Sequence, residues 1–447
     1  TDTLKVDFSS AKNEAYIRHD SLLIKADFEY TNKQVAIQFQ LPDKDKNHGY
    51  LRLRGWQSRN NFVGSGILPN GKTIDWSATA IPQITKIDTT KNLSKFDSSL
   101  LKIPTTVTYP FVAYGWTKKP IAQKILFKNA TVWTNEQDGI LQNTDVLIEN
   151  GKIIKIGKNI SDNTAKIVDA TGKHLTAGII DEHSHICISG NVNECSEVNT
   201  SEVKIGDVID NQDINMYRQL AGGVVAAQLL HGSCNPIGGQ SALIKFRWGS
   251  LPDELKIENA DGFIKFALGE NPKESNWGDK QTQRYPQSRM GVEQVYIDNF
   301  TRAKEYANNP LARKNLKLDA LVEILNKKRF ISCHSYVQSE ITMLMRVAEK
   351  FNFRINTFTH ILEGYKVADK MKKHGVGAST FADWWAYKME VMQAIPYNAA
   401  ILNKVGIITA INSDDAEMGR RLNQEAGKIV KYGNVSEEDA WKMVTLN

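Results

Sequence analysis

The last third of the chain alternates short apolar bursts with amphipathic helical stretches, and no other feature restricts the fold as much. "RFISCHS" runs into "SEITMLMRVAEKFN", "RINTFTH" into "EGYKVADKMKKHG", then comes "GVGAST", and "VGIITAINSDD" leads into "GRRLNQEAGKIVKYG". Repeated strand–helix units of this kind predict α/β architecture on a parallel sheet covered on both faces, either a (β/α)8 barrel or an open doubly wound sheet. Periodicity leaves that choice open.

Upstream the texture differs. Between Val35 and Trp76, "QVAIQFQL", "YLRLRGW" and "NFVGSGILPNGKTIDW" alternate apolar and polar residues, with Asn70-Gly71 as a tight turn. This predicts an antiparallel β module over residues 1–85, in which Trp56 and Trp76 are core or cross-strand packing, aromatics being strand formers first. A polar, proline-bearing linker is expected over 86–120, with one extended piece, "TTVTYPFVAYGW". Residues 121–176 form a second β-rich piece, where Asn150-Gly151 between "TDVLIE" and "KIIKIG" predicts a hairpin. The α/β texture sets in after His174 and defines a last domain over 177–447.

Composition excludes some functions. No apolar run reaches membrane-spanning length, and the net charge of +6 is spread along 447 residues without a basic block, so neither a membrane span nor nucleic acid is implied. The four cysteines show no CxxC spacing and are too few for a disulfide framework. The chain opens on Thr1 without a signal segment, which fits a removed leader and a trimmed chain equally well; a periplasmic or secreted location is expected over a cytoplasmic one.

Functional groups in parallel α/β folds gather at the carboxyl ends of the strands. His183 and His185 end "AGIIDEHSH", His334 ends "RFISCH", His360 ends "RINTFTH" and Asp414 ends "VGIITAINSD". Two histidines two apart in an extended segment point to one side and can reach one ion, leaving Glu182 and Ser184 facing away. A lone strand-end histidine is usually a satisfied polar residue. Here four of nine histidines share the expected active face with an aspartate, a ligand set suited to zinc, with manganese, iron or cobalt as alternatives.

This ordered set resembles the amidohydrolase superfamily of metal-dependent hydrolases, over roughly Ile125 to Asn447. "GGVVAAQLLHGSCNPIGGQSALIKFRWG" and "IKFALGENPK" are similar to an imidazolonepropionase-like or prolidase-like branch. The resemblance implies a (β/α)8 TIM-type barrel with a small β-sandwich domain, preceded here by the extra N-terminal module. It also implies one or two divalent metals: His183 and His185 on the more buried ion, His334 and His360 on the second or on substrate, and Asp414 as metal ligand, general base and proton donor. Glu270 is the favoured bridging ligand, with Lys265 as the alternative if carbamylated.

The implied reaction is hydrolysis of an amide or other C–N bond of a small substrate. His231 and Gln240, in a glycine-shaped loop, and Tyr336 are candidate substrate contacts, although His231 fits a loop-capping hydrogen bond equally well. Alternatives are a prolidase-type metallodipeptidase, with Arg289, Arg420 or Arg421 meeting a substrate carboxylate, and an inactive barrel in a binding or structural protein. Asp415 reads as a helix cap. The sandwich looks incomplete at "AWKMVTLN", so further polypeptide completing it, or a homo-oligomer, is an expected partner.

Overall fold

The computed structural model describes residues 5–9, 14–19, 22–40, 49–59, 61–79, 108, 110, 114–273, 284–384 and 386–447. Most of the expected linker, including most of "TTVTYPFVAYGW", lies outside the described residues. Contacts divide the chain into two units, Thr1–Lys102 and Ile103–Asn447.

In the first unit, seven strands from Lys5–Ser9 to Thr73–Thr79 each pair antiparallel with their sequence neighbours. Alternation in Gln34–Gln40 puts Val35, Ile37 and Phe39 on one face, where they pack with Ile17, Ala26 and Leu51. At the Asn70-Gly71 turn, Gly71 takes a φ of +82°. The expectation for the tryptophans holds for Trp76, whose indole lies so close over Gly55 that a Cβ there would come within 2.7 Å of the ring. Its Nε1 donates to the carbonyls of Arg54 (3.0 Å) and Ser65 (3.1 Å). Trp56 is not a core residue and stands in the ladder opposite Val63 and Gln34. Its strand buries Leu51 and Gly55, so the pleat turns position 56 outward, and the side chain is 57% exposed.

The second unit opens with a sheet in the order Lys152–Gly157, Ile140–Glu149, Ile125–Trp133, Lys166–Asp169. Asn150 and Gly151 both take left-handed φ, 51° and 74°, as a two-residue hairpin turn between antiparallel strands requires. Beyond it, Ile179–Ser184 pairs parallel with Val224–Leu229. Gly262–Ala267, Arg329–His334, Thr357–His360, Gly377–Thr380 and Thr409–Ile411 lie side by side in chain order, all parallel. Helices including Arg289–Ala307, Gln338–Lys350, Ala368–His374 and Asn398–Val405 fill the connections. The unit is thus a mixed α/β structure with the parallel order the alternation predicts.

Strand pleating sorts the groups that matter. Phe266 faces the helix Arg289–Ala307, its ring 5.2 Å from Tyr296 and 6.1 Å from Phe300, while its neighbour Lys265 lies on the opposite side, in register with Ser332. The last strand is tied back to the first: Ser413 donates to the Asp181 carboxylate through its N–H (3.1 Å) and hydroxyl (2.6 Å), and Asp414 N–H donates to the His183 carbonyl at 3.1 Å. One disulfide, Cys195–Cys234, joins two loops, a single cross-link that the cysteine spacing did not foretell; Cys187 and Cys333 are buried thiols. Among the described residues no helix is long and apolar enough to cross a membrane.

Candidate active site

His183, His185 and Asp414 converge so that one ligand atom from each lies within 4.8 Å of the others. His183 Nε2 and His185 Nε2 are 3.2 Å apart, and Asp414 Oδ1 is 3.4 Å from the first and 3.2 Å from the second. The Leu230 carbonyl lies 2.9 Å from His185 Nδ1. A carbonyl only accepts, so Nδ1 carries the hydrogen and Nε2 offers a lone pair to the cluster. On the other histidine, Nδ1 pairs with Thr359 Oγ1 at 2.9 Å, again leaving Nε2 to the centre. Ring nitrogens oriented from behind in this way are typical of metal-bound histidines.

Two further histidines close the site. His360 Nε2 stands 3.6 Å from Asp414 Oδ2, and the His334 ring packs edge-on to His360 with centroids 4.9 Å apart. His334 Nε2 is buried without a hydrogen-bond partner among the described residues, a costly state that a cation or a substrate would relieve, and His360 Nδ1 is likewise unpartnered while its Nε2 is the nitrogen toward Asp414. His360 and Asp414 both take left-handed φ, 68° and 49°, strain of the kind that collects at functional sites. This donor set fits divalent metal: neutral imidazoles and a carboxylate with their lone pairs facing inward.

Burial sets the charges. Desolvation pushes His183 and His334 well below the usual histidine range and His360 down to about 3, so all three are neutral at physiological pH. Burial by itself would raise Asp414, but the electrostatic influence of the His360 ring against it and of the Lys265 ammonium brings it down to about 2. Asp181 and Glu182, beneath the cluster, are raised by burial to about 6 and about 7.

The two candidate bridging residues fall in different surroundings. Lys265 is 1% exposed, and its Nζ lies 3.1 Å from His183 Nε2. Glu270, three residues past its strand, instead pairs with Arg289 Nη1 and Lys273 Nζ, both at 2.7 Å. Pleat direction decides this: Lys265 faces the interior from within the strand, whereas Glu270 has turned with the loop toward two cations. Lys265 therefore lies against the histidine cluster, and Glu270 lies in an ion-paired group with Arg289 and Lys273. The expectation for Glu182 is corrected. A register shift between Asp181 and Ser184 lets it turn inward to Ser332 Oγ at 3.4 Å, where its Oε2 is buried.

His231 spends both ring nitrogens on loop backbone, Nδ1 on the Gly232 carbonyl (3.0 Å) and Nε2 on the Glu194 N–H (2.8 Å), which matches the capping alternative. Gln240 donates to the Ser201 carbonyl at 2.8 Å. Tyr336 lies at the site, edge-on to His334 at 4.5 Å and stacked over His360 at 5.9 Å. Asp415 caps the next helical turn by accepting from Glu417 N–H (2.9 Å) and Met418 N–H (2.7 Å), which leaves Asp414 to the cluster.

Sequence reading missed Thr359, Asp181, Tyr387 and Lys388. Asp181 and Thr359 had a signal, being polar residues inside otherwise apolar strand bursts. Tyr387 and Lys388 sit in the loop after Gly377–Thr380, where no periodicity points to a site.

No family model matches the chain. The crystal structure of an amidohydrolase from Thermotoga maritima MSB8 superposes with a TM-score of 0.66 at 33% identity, covering 72% of this chain and 86% of that one. The chain belongs to the amidohydrolase superfamily. Among curated relatives of this superfamily member, the amidohydrolase tasK of Hapsidospora irregularis is 26% identical over 364 residues, 69% of this chain and 37% of its own length. A dihydroorotase of Bacillus cytotoxicus is 44% identical over 61 residues, 14% of each chain. The chain thus spans well under half the length of either curated relative.

Proposed function

We propose that the chain is a metal-dependent hydrolase of an amide or other C–N bond in a small substrate. The observation that carries this is the convergence of His183 Nε2, His185 Nε2 and Asp414 on one point. Superfamily membership, with relatives named amidohydrolase and dihydroorotase, supports it. We further propose that the parallel strands are arcs of one (β/α)8 barrel behind β-sandwich strands at 121–176, a closure supported by the Ser413–Asp181 and Asp414–His183 hydrogen bonds. An oxidising compartment, periplasmic or extracellular, is supported by the Cys195–Cys234 bond.

Zinc is the proposed metal, held by His183, His185 and Asp414, with His334 and His360 for a second ion. Such ions polarise a carbonyl and bring the pKa of bound water toward neutrality. Lys265 would join the ligand set as a carbamate: its neutral amine adds to carbon dioxide, a C–N bond forms and one N–H proton leaves. The low position of Lys265, about 8, keeps a usable fraction of that amine at neutral pH. Asp414, held ionised, takes a proton from the attacking water on a carboxylate oxygen and gives it to the departing nitrogen. Tyr336 borders the space where the carbonyl would lie.

Metal analysis tests the reading. One or two equivalents per chain are expected after zinc loading, and Asp414→Asn should abolish turnover of dipeptides and cyclic amides while retaining much of the metal. A chain that neither carries nor takes up divalent metal would sink it.

A further inference from the structure

A substrate carboxylate needs a cation at the site, and the arginines that sequence reading offered are committed or displaced. Arg289 is surrounded by Glu270 (2.7 Å), Glu340 (3.0 Å) and Glu390 (3.4 Å). Arg420 forks onto Glu417 at 3.0 and 2.7 Å. Arg421 is exposed at the start of the helix Leu422–Gly433.

Lys388 occupies the place they do not. Its Nζ lies 4.2 Å from the centre of the Tyr336 ring and 5.9 Å from that of Tyr387. The Tyr387 hydroxyl donates to the Tyr336 hydroxyl at 3.1 Å, so a cation and two phenols stand together. Tyr336 carries this group to the centre, since the same ring packs against His334 and His360. Lys388 pairs with Glu390 Oε2 at 3.3 Å, but that oxygen has no hydrogen bond in the described structure, so the contact is ionic and leaves the ammonium's directed donors open. The side chain is one-third exposed, enough to meet a ligand from the solvent side.

We propose that Lys388, with the Tyr336 hydroxyl that Tyr387 holds in place, binds a free carboxylate beside the scissile bond. The substrate class is then an N-acyl amino acid or dipeptide with a free C-terminal carboxylate, and neutral amides are poor substrates. This rests on the C–N hydrolase reading above and narrows it. An ammonium–carboxylate contact of this kind discriminates strongly against a neutral isostere, because the neutral group leaves the charge unmatched.

The test uses the full chain loaded with zinc. Matched pairs of dipeptides and their C-terminal amides are compared by kcat/KM. The free acids should be preferred, and Lys388→Met should shrink the acid-to-amide ratio toward one, by roughly 10- to 150-fold, mainly through KM. Lys388→Arg should keep most of the preference. Equal rates on acid and amide, or a preference that survives Lys388→Met, overturns the subsite and leaves the hydrolase reading standing. Calorimetric titration with N-acetyl amino acids and their amides provides an arm independent of turnover. Acid-selective binding lost in Lys388→Met supports the subsite even if no peptide is cleaved, and binding that ignores the carboxylate overturns it.

Discussion

His185 Nε2 faces His183 Nε2 at 3.2 Å, and the Leu230 carbonyl behind His185 dictates that a lone pair points into that gap. Facing lone pairs repel, so the folded chain should be more stable with a cation between them than without one. Zinc at about 100 times its dissociation constant stabilises a native state by roughly 2.7 kcal/mol, a gain visible as several degrees in Tm. His185→Ala should remove most of that metal-dependent gain. A melting curve indifferent to zinc and to chelator would contradict the arrangement.

Lys265 places a cation in a pocket with 1% exposure, beside neutral imidazoles. Burying an ammonium costs several kcal/mol before its partners compensate. Lys265→Met keeps the length and apolar stem and removes the charge. The metal-free variant should therefore melt at or above the parent, while metal content drops and turnover falls at least about 100-fold, since removing a transition-state electrostatic partner costs on that scale. Denaturant melts and metal analysis of the same preparations check both halves. A metal-free variant more than about 1 kcal/mol less stable would show instead that the Lys265 charge is well compensated by Glu182 and Asp414.

Strand order and the strand-end residues were legible because they follow from short-range rules: apolar bursts locate strands, and chain direction locates their carboxyl ends. His183, His185, His334, His360 and Asp414 all sit where that logic puts them. What was not legible depends on how strands twist and bulge against each other. Ligand chemistry favoured the strand-end carboxylate of Glu270 over Lys265, which needs carbamylation; the pleat of Gly262–Ala267, which turns Lys265 to the cluster, and the pairing of Glu270 with Arg289 and Lys273 are not written in the sequence pattern. The inward turn of Glu182 depends on a register shift that no alternation pattern reveals. Cys195 and Cys234, 39 residues apart, meet only because two loops fold onto each other.

Glu340 provides a pH signature away from the metal cluster. Burial raises its carboxyl to about 7 from an ordinary 4.5, against the opposing pull of Arg289, whose Nε is 3.0 Å away but outside hydrogen-bond geometry. An acid with a raised folded-state pKa binds more protons folded than unfolded between these values. Its contribution therefore favours folding below about pH 4.5 and is lost as pH rises toward 7, by roughly 3 kcal/mol across that window. The stability of the parent relative to Glu340→Gln should decline from pH 4.5 to 7 and flatten above it. Urea melts at half-unit pH steps measure the difference, and parallel profiles for the two proteins would refute the assignment.

The Cys195–Cys234 bond holds the loop that presents the Leu230 carbonyl and His231. Closing a loop of 39 residues restricts the unfolded chain by about 4 kcal/mol on the chain-entropy estimate. The double variant Cys195→Ala, Cys234→Ala should lose roughly 2 to 4 kcal/mol. A second effect should accompany the first. With Glu194 N–H less firmly held to His231 Nε2, the loop carrying Leu230 loosens, and the carbonyl that orients His185 is less well placed. Zinc affinity should fall by about 10-fold or more, the usual scale for losing support behind a metal-bound histidine. Reductant added to the parent should reproduce both losses, and it should do nothing further to the double variant. If affinity is unchanged while stability falls, the bond is a staple of the fold with no hand in the metal site.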